Sequence, residues 1–454
     1  MKKRIRAAAL ALSLGAVTVL SGCGNQEFRL NFNPQELYAL PELPAKYTEL
    51  NGLLAQILQG GAEYAAPISG TNVQPVQMRD LDGDGREEAV AFFRDATAEK
   101  PLKICIFSAV EDTYEPIADI AGSGTAFSTV DYSDLNSDGF TELVVGWKVN
   151  TELQAMSVHT LRPSGPEEVL KSVDYVKHTI TNLDRDACQE LMVVRADEEG
   201  NGLADCYKWE EDGTVSRSST SVSMSMAELS RQGRLTLGTL QDGVPALFVT
   251  GVTDENHAIT DVLTLRKGEL SNIVLSSTTG VSREIADFVS LYPQDINNDG
   301  VTEIPCPVIL PEWGEGADTY RRVDWRQLDA QGSAQTVLKT YHEKENGWYL
   351  QLPENWTDRI KVYRSTLSDE SVVTFLIYRG EEESPTPFLR IATITGTNRE
   401  IKAVRGGRFI LSRQPNTIYT AEIMEAGQTW EYGLTPDEVR AAFSLIATEW
   451  TSGD

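Results

Sequence analysis

The chain has 454 residues and a formal net charge of −27, from 67 Asp and Glu against 40 Lys and Arg. Such acidity excludes nucleic acid and anionic lipid headgroups as electrostatic partners. The length exceeds one usual domain, so two domains and a tether are expected.

Residues 1–22 read as a secretion signal. Lys2, Lys3, Arg4 and Arg6 form a charged head, and Ala7 to Leu20 form an apolar core shorter than the ~17–25 residues that span a bilayer. The core ends in Leu20-Ser21-Gly22-Cys23, which resembles the lipobox of bacterial lipoproteins of the Gram-positive type. The resemblance implies that Cys23 becomes the first mature residue, carries a lipid and holds the protein on the outer face of the cell membrane. The alternative is an ordinary cleaved signal with a cysteine nearby. Loss of the four basic residues takes the net charge from −27 to −31. Residues 24–45, with Pro34, Pro41 and Pro44, suit a spacer. Pro44 to Gly60 reads as a helix, because Tyr47, Leu50, Leu53, Leu54, Ile57 and Leu58 recur at helical spacing before Gly60-Gly61. Its apolar stripe is expected to cover one end of the domain that follows.

Acidic turns then recur along the chain. Asp80, Asp82, Asp84 and Glu88 stand at positions 1, 3, 5 and 9 of one loop; Asp134, Asn136, Asp138 and Glu142 hold the same places in the next. Asp295, Asn297, Asp299 and Glu303 form a third copy, and Asn182, Asp184, Asp186 and Glu190 a weaker one in which Ala187 replaces the Gly of position 6. Oxygen donors in this spacing suit a hard cation such as calcium, with a backbone carbonyl from position 7 (Arg86, Phe140, Cys188, Val301). Two like charges about 4 Å apart repel by roughly 4 kcal/mol at an effective dielectric near 20, so a cation is expected at each loop. The plainer alternative is an Asx-rich β-turn that holds no metal.

These are not helix-loop-helix sites. Position 12 is Ala91, Val145, Val193 or Cys306 where an EF-hand needs a bidentate Glu. A short apolar run follows each loop, such as Glu88-Ala-Val-Ala-Phe-Phe93 or Glu142-Leu-Val-Val-Gly-Trp147, and reads as a buried strand. Dockerin-type loops, which also lead into helices, fail the same test.

The loops begin at 80, 134, 182 and 295, so a copy is missing near 239, where Thr239-Leu-Gln-Asp242-Gly243 precedes another apolar run without ligands. Units of about 50 residues have room for four short strands, in the first near 73–79, 88–94, 102–108 and 113–119. Repeats of this length without intervening helices point to a β-propeller of about five four-stranded blades over 71–345, preceded by a short helix in a 23–70 tether. The Asp-x-Asp/Asn-x-Asp-Gly-x-x-Glu loop between two strands resembles the FG-GAP/VCBS repeats of integrin-like propellers, which implies calcium along one rim. Two features depart from that pattern: Glu stands at position 9 where the family usually has Asp, and five units are visible where seven are common.

Residues 346–454 read as a small α+β domain with strands near 359–365, 371–378, 387–395, 408–413 and 417–424. Thr435 caps a closing helix, with Pro436 at its first position, that runs to about Trp450 and places Val439, Phe443, Ile446 and Trp450 on one face. Its Trp348…Pro353…Trp356 opening is faintly similar to PsbP-like domains.

None of His159, His178, His257 and His342 stands in metalloprotease spacing, and no nucleophile elbow or phosphate loop is present. Cys105 and Cys306 sit in apolar strands, most simply as buried thiols, although an exported protein permits a bond between them. Cys206 is expected opposite about residue 194, out of register with Cys188. The loop from Pro311 to Tyr320, with Trp313, is either a contact surface or a connection packed on its blade. The pattern as a whole fits a non-catalytic scaffold for a protein or glycan partner. Alternatives are a carbohydrate-active enzyme working at the propeller mouth, or an envelope assembly factor acting through the C-terminal domain.

Overall fold

The computed structural model describes residues 48–110, 113–210, 214–311 and 319–446. The signal segment, Cys23, the spacer, most of the Pro311–Tyr320 loop and Trp450 lie outside them. The chain divides into two units, Met1–Ala55 and Gln56–Asp454. The helix Thr48–Gln59 begins in the first unit and buries Leu50 and Leu54. No helix among the described residues is long and apolar enough to cross a membrane.

The larger unit carries six antiparallel sheets in succession. In the first, Glu63–Tyr64 and Val76–Arg79 share one edge of Glu88–Arg94, followed by Leu102–Val110 and Thr113–Gly122. The second runs Ala126–Ser133, Glu142–Lys148, Gln154–Arg162, Gly165–Tyr175; the third Lys177–Thr181, Glu190–Ala196, Gly202–Trp209, Val215–Ser221. The fourth is Arg234–Thr239, Pro245–Val252 and His257–Arg266, with Glu269–Asn272 and Glu284–Asp287 both on the outer edge of His257–Arg266. In the fifth sheet the innermost strand shrinks to a single bridge, Gln294 to Glu303, before Glu303–Ile309, Arg321–Leu328 and Ala334–Glu343.

Burial explains why these segments are strands. The second strand of a blade is covered on both faces, so Glu88 to Phe93 and Glu142 to Trp147 are buried without a break. The fourth strand meets solvent, and Val215–Ser221 is accordingly almost free of large apolar residues. Cores form between consecutive sheets. Leu81, Val90 and Phe92 pack with Phe127, Val130 and Val145 of the next; Leu135 and Val144 with Leu191 and Val193; Met192 and Val194 with Leu247 and Val249; Phe248 and Val262 with Ile304 and Leu328. Each such side chain contributes about 1.5–3 kcal/mol on burial. Sequential four-stranded meanders that share their cores pairwise make this a mainly β protein, a five-bladed β-propeller.

One helix was not anticipated. Met226–Gln232 lies between the third and fourth blades, opened by a capping box of Ser225 and Glu228, and Leu229 is buried among Met224, Leu247 and Val249. The Ser-x-x-Glu signal was present in the sequence, but a seven-residue helix has little periodicity to read.

Past residue 346 the fifth sheet continues through Trp348–Gln351 and Phe443–Leu445. A separate five-stranded sheet comprises Ile360–Leu367, Glu370–Ile377, Thr386–Ile394, Ile418–Ile423 and Phe409–Arg413. Its core of Trp356, Phe375 and Phe388 joins Trp348 and Tyr341 of the fifth blade's sheet. Thr435 caps the closing helix as expected, in a box with Glu438, but the helix spans only Pro436–Ala442. The predicted extension to Trp450 is overturned. Phe443 instead pairs with Leu350 and packs against Trp348 and Tyr419, so tertiary pairing overrides the helical spacing of Phe443 and Ile446.

Candidate metal centres

Each acidic loop joins the innermost strand of a blade to its second. Three copies share one hydrogen-bond scheme. The position 1 carboxylate accepts from the Gly N–H of position 6: Gly85 to Asp80 at 3.0 Å, Gly139 to Asp134 at 3.0 Å, Gly300 to Asp295 at 2.8 Å. These glycines are left-handed, with φ of 84°, 90° and 84°, where a side chain costs about 1–2 kcal/mol. Position 3 accepts from the N–H of position 5, and position 5 accepts from the N–H of Arg86, Phe140, Cys188 and Val301. Position 4 is left-handed in all four loops (Gly83, Ser137, Arg185, Asn298), which the sequence did not betray.

The Glu of position 9 closes each loop. Glu88, Glu142, Glu190 and Glu303 are buried, and each accepts the N–H of position 2 (Leu81, Leu135, Leu183, Ile296) at 2.7–3.0 Å. Burial, aided by neighbouring Asp charges, holds all four above the usual carboxylate range, and Glu190 is pushed up to about 7. A buried carboxylate so placed is stabilised by any cation that reaches it.

The other carboxylates diverge from blade to blade. In the first, oxygens of Asp80, Asp82 and Glu88 lie within 4.8 Å of one another, while Asp84 turns out to Arg86 at 3.0 Å on the surface. In the fifth, Asp295, Asp299 and Glu303 converge within 4.8 Å, and Gln327 Nε2 donates to Asp299 and Glu303 at 2.8 and 2.7 Å. In the second, Arg162 Nη2 takes Asp138 at 2.6 Å, and its guanidinium lies 4.6 Å over the Phe140 ring. Burial opposes ionisation of Asp138, but the Phe140 N–H and Arg162 outweigh it and hold the carboxyl low.

In the third blade Asp184, Asp186 and Glu190 also converge within 4.8 Å, but Lys208 stands among them. Its ammonium binds Asp184, binds Asp186 at 2.5 Å and lies 3.9 Å from Glu190. Burial pulls the Lys208 pKa down, yet the two aspartates outweigh it and raise it. Asn182 turns its amide to the Asp186 carbonyl at 2.7 Å, leaving Oδ1 buried without a partner. Ala187 does not take up the left-handed conformation of the glycines it replaces, so a changed turn avoids the strain a side chain would meet there.

The ligandless fourth copy is as expected: a tight turn, Gly243 N–H to the Leu240 carbonyl at 2.8 Å, with Asp242 exposed. Neighbouring loops also touch. Thr141 N–H reaches the Leu81 carbonyl at 2.8 Å, Gln189 N–H reaches Leu135 at 3.0 Å, and a Cβ on Gly83 would meet the Gly139 carbonyl at 2.5 Å.

Away from the loops, His159 and His342 are pushed down to about 4 and 3 by burial, while His178 pairs with Asp131 at 2.9 Å and His257 lies beside Asp287. All four described cysteines are free thiols; burial pushes Cys105 up to about 12, and Cys206 lies opposite Met192 rather than residue 194. A cavity of about 510 Å³ beside the fifth blade contains Glu343 and Glu345, both paired with Arg364. Lys208, Arg162 and Gln327 contact the loop acids and could not be paired with them from the sequence. Only strand register, which sets each opposite or next to a loop, singles them out.

No family model and no curated protein matches the chain. Among solved structures it is similar to a crystal structure of a levansucrase point mutant from B. megaterium, at 11% identity and a TM-score of 0.23, over 73% of this chain and 85% of that one.

Proposed function

We propose that the protein is a lipid-anchored, extracytoplasmic, calcium-binding propeller that serves as a non-catalytic scaffold for a protein or glycan partner. The observation that carries this is the convergence of three acidic oxygens within 4.8 Å at the first and fifth blades. Asp80, Asp82 and Glu88, with the Arg86 carbonyl, would hold one ion; Asp295, Asn297, Asp299 and Glu303, with the Val301 carbonyl, another. All are hard oxygen donors, the set calcium prefers, at the ~10⁻⁴–10⁻³ M affinity of extracellular modules. The exposed Arg86–Asp84 pair is worth about 0–1 kcal/mol and yields readily to a divalent ion. Bound calcium neutralises the buried glutamates and stiffens turns that already lean on one another.

The enzyme alternative draws less support: the cleft acids Glu343 and Glu345 are both engaged by Arg364, and buried Asp205 is held by Arg195 at 2.6 Å. Metal analysis of protein purified without chelator, with melting curves in calcium and in EGTA, tests the reading. Bound calcium and a melting point several degrees higher are expected; identical curves and no metal would remove it. Crosslinking on the native cell surface, with the tethered chain as bait, identifies the partner.

A further inference from the structure

The residue that faces position 9 across the second and third strands occupies one register place in every blade that has an acidic loop. Glu88 pairs with Ser108, Glu142 with Thr160, Glu190 with Lys208 and Glu303 with Gln327, each continuing the antiparallel ladder by one residue or closing it. This place looks into the space between the loop carboxylates. Ser108 Oγ is 3.2 Å from Glu88, Gln327 is 2.7 Å from Glu303, and Lys208 reaches three acids of its own loop.

We propose that Lys208 is the resident cation of the third-blade loop, and that an ammonium at this register place keeps a divalent ion out of its loop. Two features of the third loop agree. Its position 6 is Ala187, which does not form the left-handed turn that delivers an N–H to position 1 elsewhere. Its three carboxylates already surround the ammonium of Lys208, whose side chain is 18% exposed. A divalent ion entering there would lie against Lys208 and leave that ammonium in a half-buried place without its partners, a costly exchange. The first and fifth loops offer a hydroxyl and an amide at the same place and impose no such cost. The third loop therefore carries its own counter-cation, and Ser137 of the second loop rests on it through the Ala187 carbonyl.

This rests on the calcium reading above. Calcium binding by the full chain is counted by titration calorimetry and native mass spectrometry, for wild type and four variants. Asp82→Ala is expected to lose one ion and Asp184→Ala none. Lys208→Ser is expected to gain one, and Ser108→Lys to lose the ion of the first blade. Loss of an ion in Asp184→Ala, or no gain in Lys208→Ser together with no loss in Ser108→Lys, overturns the inference and leaves the calcium reading standing. A wild type that binds no calcium removes the calcium reading itself, and this inference with it. Should Lys208→Ser fail to fold, the Ser108→Lys and Asp184→Ala counts still decide.

Discussion

The first and third blades solve one electrostatic problem in two ways. Both bring three carboxylate oxygens within 4.8 Å and bury a glutamate under the turn. In the first blade no cation among the described residues is paired with Glu88: Ser108 faces it, and Arg86 sits outside on Asp84. In the third blade Lys208 stands among the acids, and the turn has shed both its left-handed glycine and its leading aspartate. A loop with its own cation leans less on the ions outside than a loop without one. Acidic spacing alone therefore does not set the charge balance of a loop; what faces the acids across the hairpin contributes to it.

The comparison breaks most visibly on removal of calcium. At calcium 100-fold above Kd one site contributes about 2.7 kcal/mol, so two sites give roughly 5 kcal/mol and a melting point several degrees higher. Asp80→Ala and Asp299→Ala should each abolish about half of the calcium-dependent shift in scanning calorimetry, whereas Asp242→Ala, on the exposed ligandless turn, should leave it intact.

Lys208→Ala probes the other side. Removing one partner of a mostly buried ion cluster costs about 3 kcal/mol, and denaturant unfolding in EGTA should show that loss. Added calcium should restore part of it, which it should not do for the Asp184→Ala protein, whose loop keeps Lys208.

A third effect concerns pH. Burial holds Glu190 at about 7 against an ordinary 4.5. A raised carboxyl favours the fold most below its unfolded value, and that contribution is lost as pH rises through the folded one. In calcium-free buffer the stability associated with Glu190 should fall between pH 4.5 and 7, by on the order of 1–3 kcal/mol. Glu190→Gln keeps an acceptor for the Leu183 N–H and should flatten that slope; an unchanged slope would show that Glu190 ionises normally in the fold.

The smallest effects are conformational. Gly139→Ala forces a side chain into φ near 90° and should cost about 1–2 kcal/mol. Ala187→Gly, at the matching place of the third loop, should change stability by less than about 1 kcal/mol. Equal costs at the two positions would mean that the two turns share a conformation after all.

Much of this was legible in the linear chain. The strands of the first blade fall where apolar runs and turns put them, and the five C-terminal strands lie within a residue or two of their expected ranges. The dead fourth turn was legible from spacing alone. The short helix Met226–Gln232 and the conversion of Phe443–Leu445 from helix to strand were not. A seven-residue helix carries almost no period, and Phe443 follows a pairing partner that lies more than ninety positions earlier, at Leu350.

Composition, repeat length and the oxygen donors at fixed intervals determined a chain of β blades with acidic turns, because those properties are local and survive in any context. Which side chain faces each set of acids was decided only by folding. Ser108, Arg162, Lys208 and Gln327 stand on the next strand over, and hairpin register alone brings an ammonium, a guanidinium, an amide or a hydroxyl to within reach of the acids.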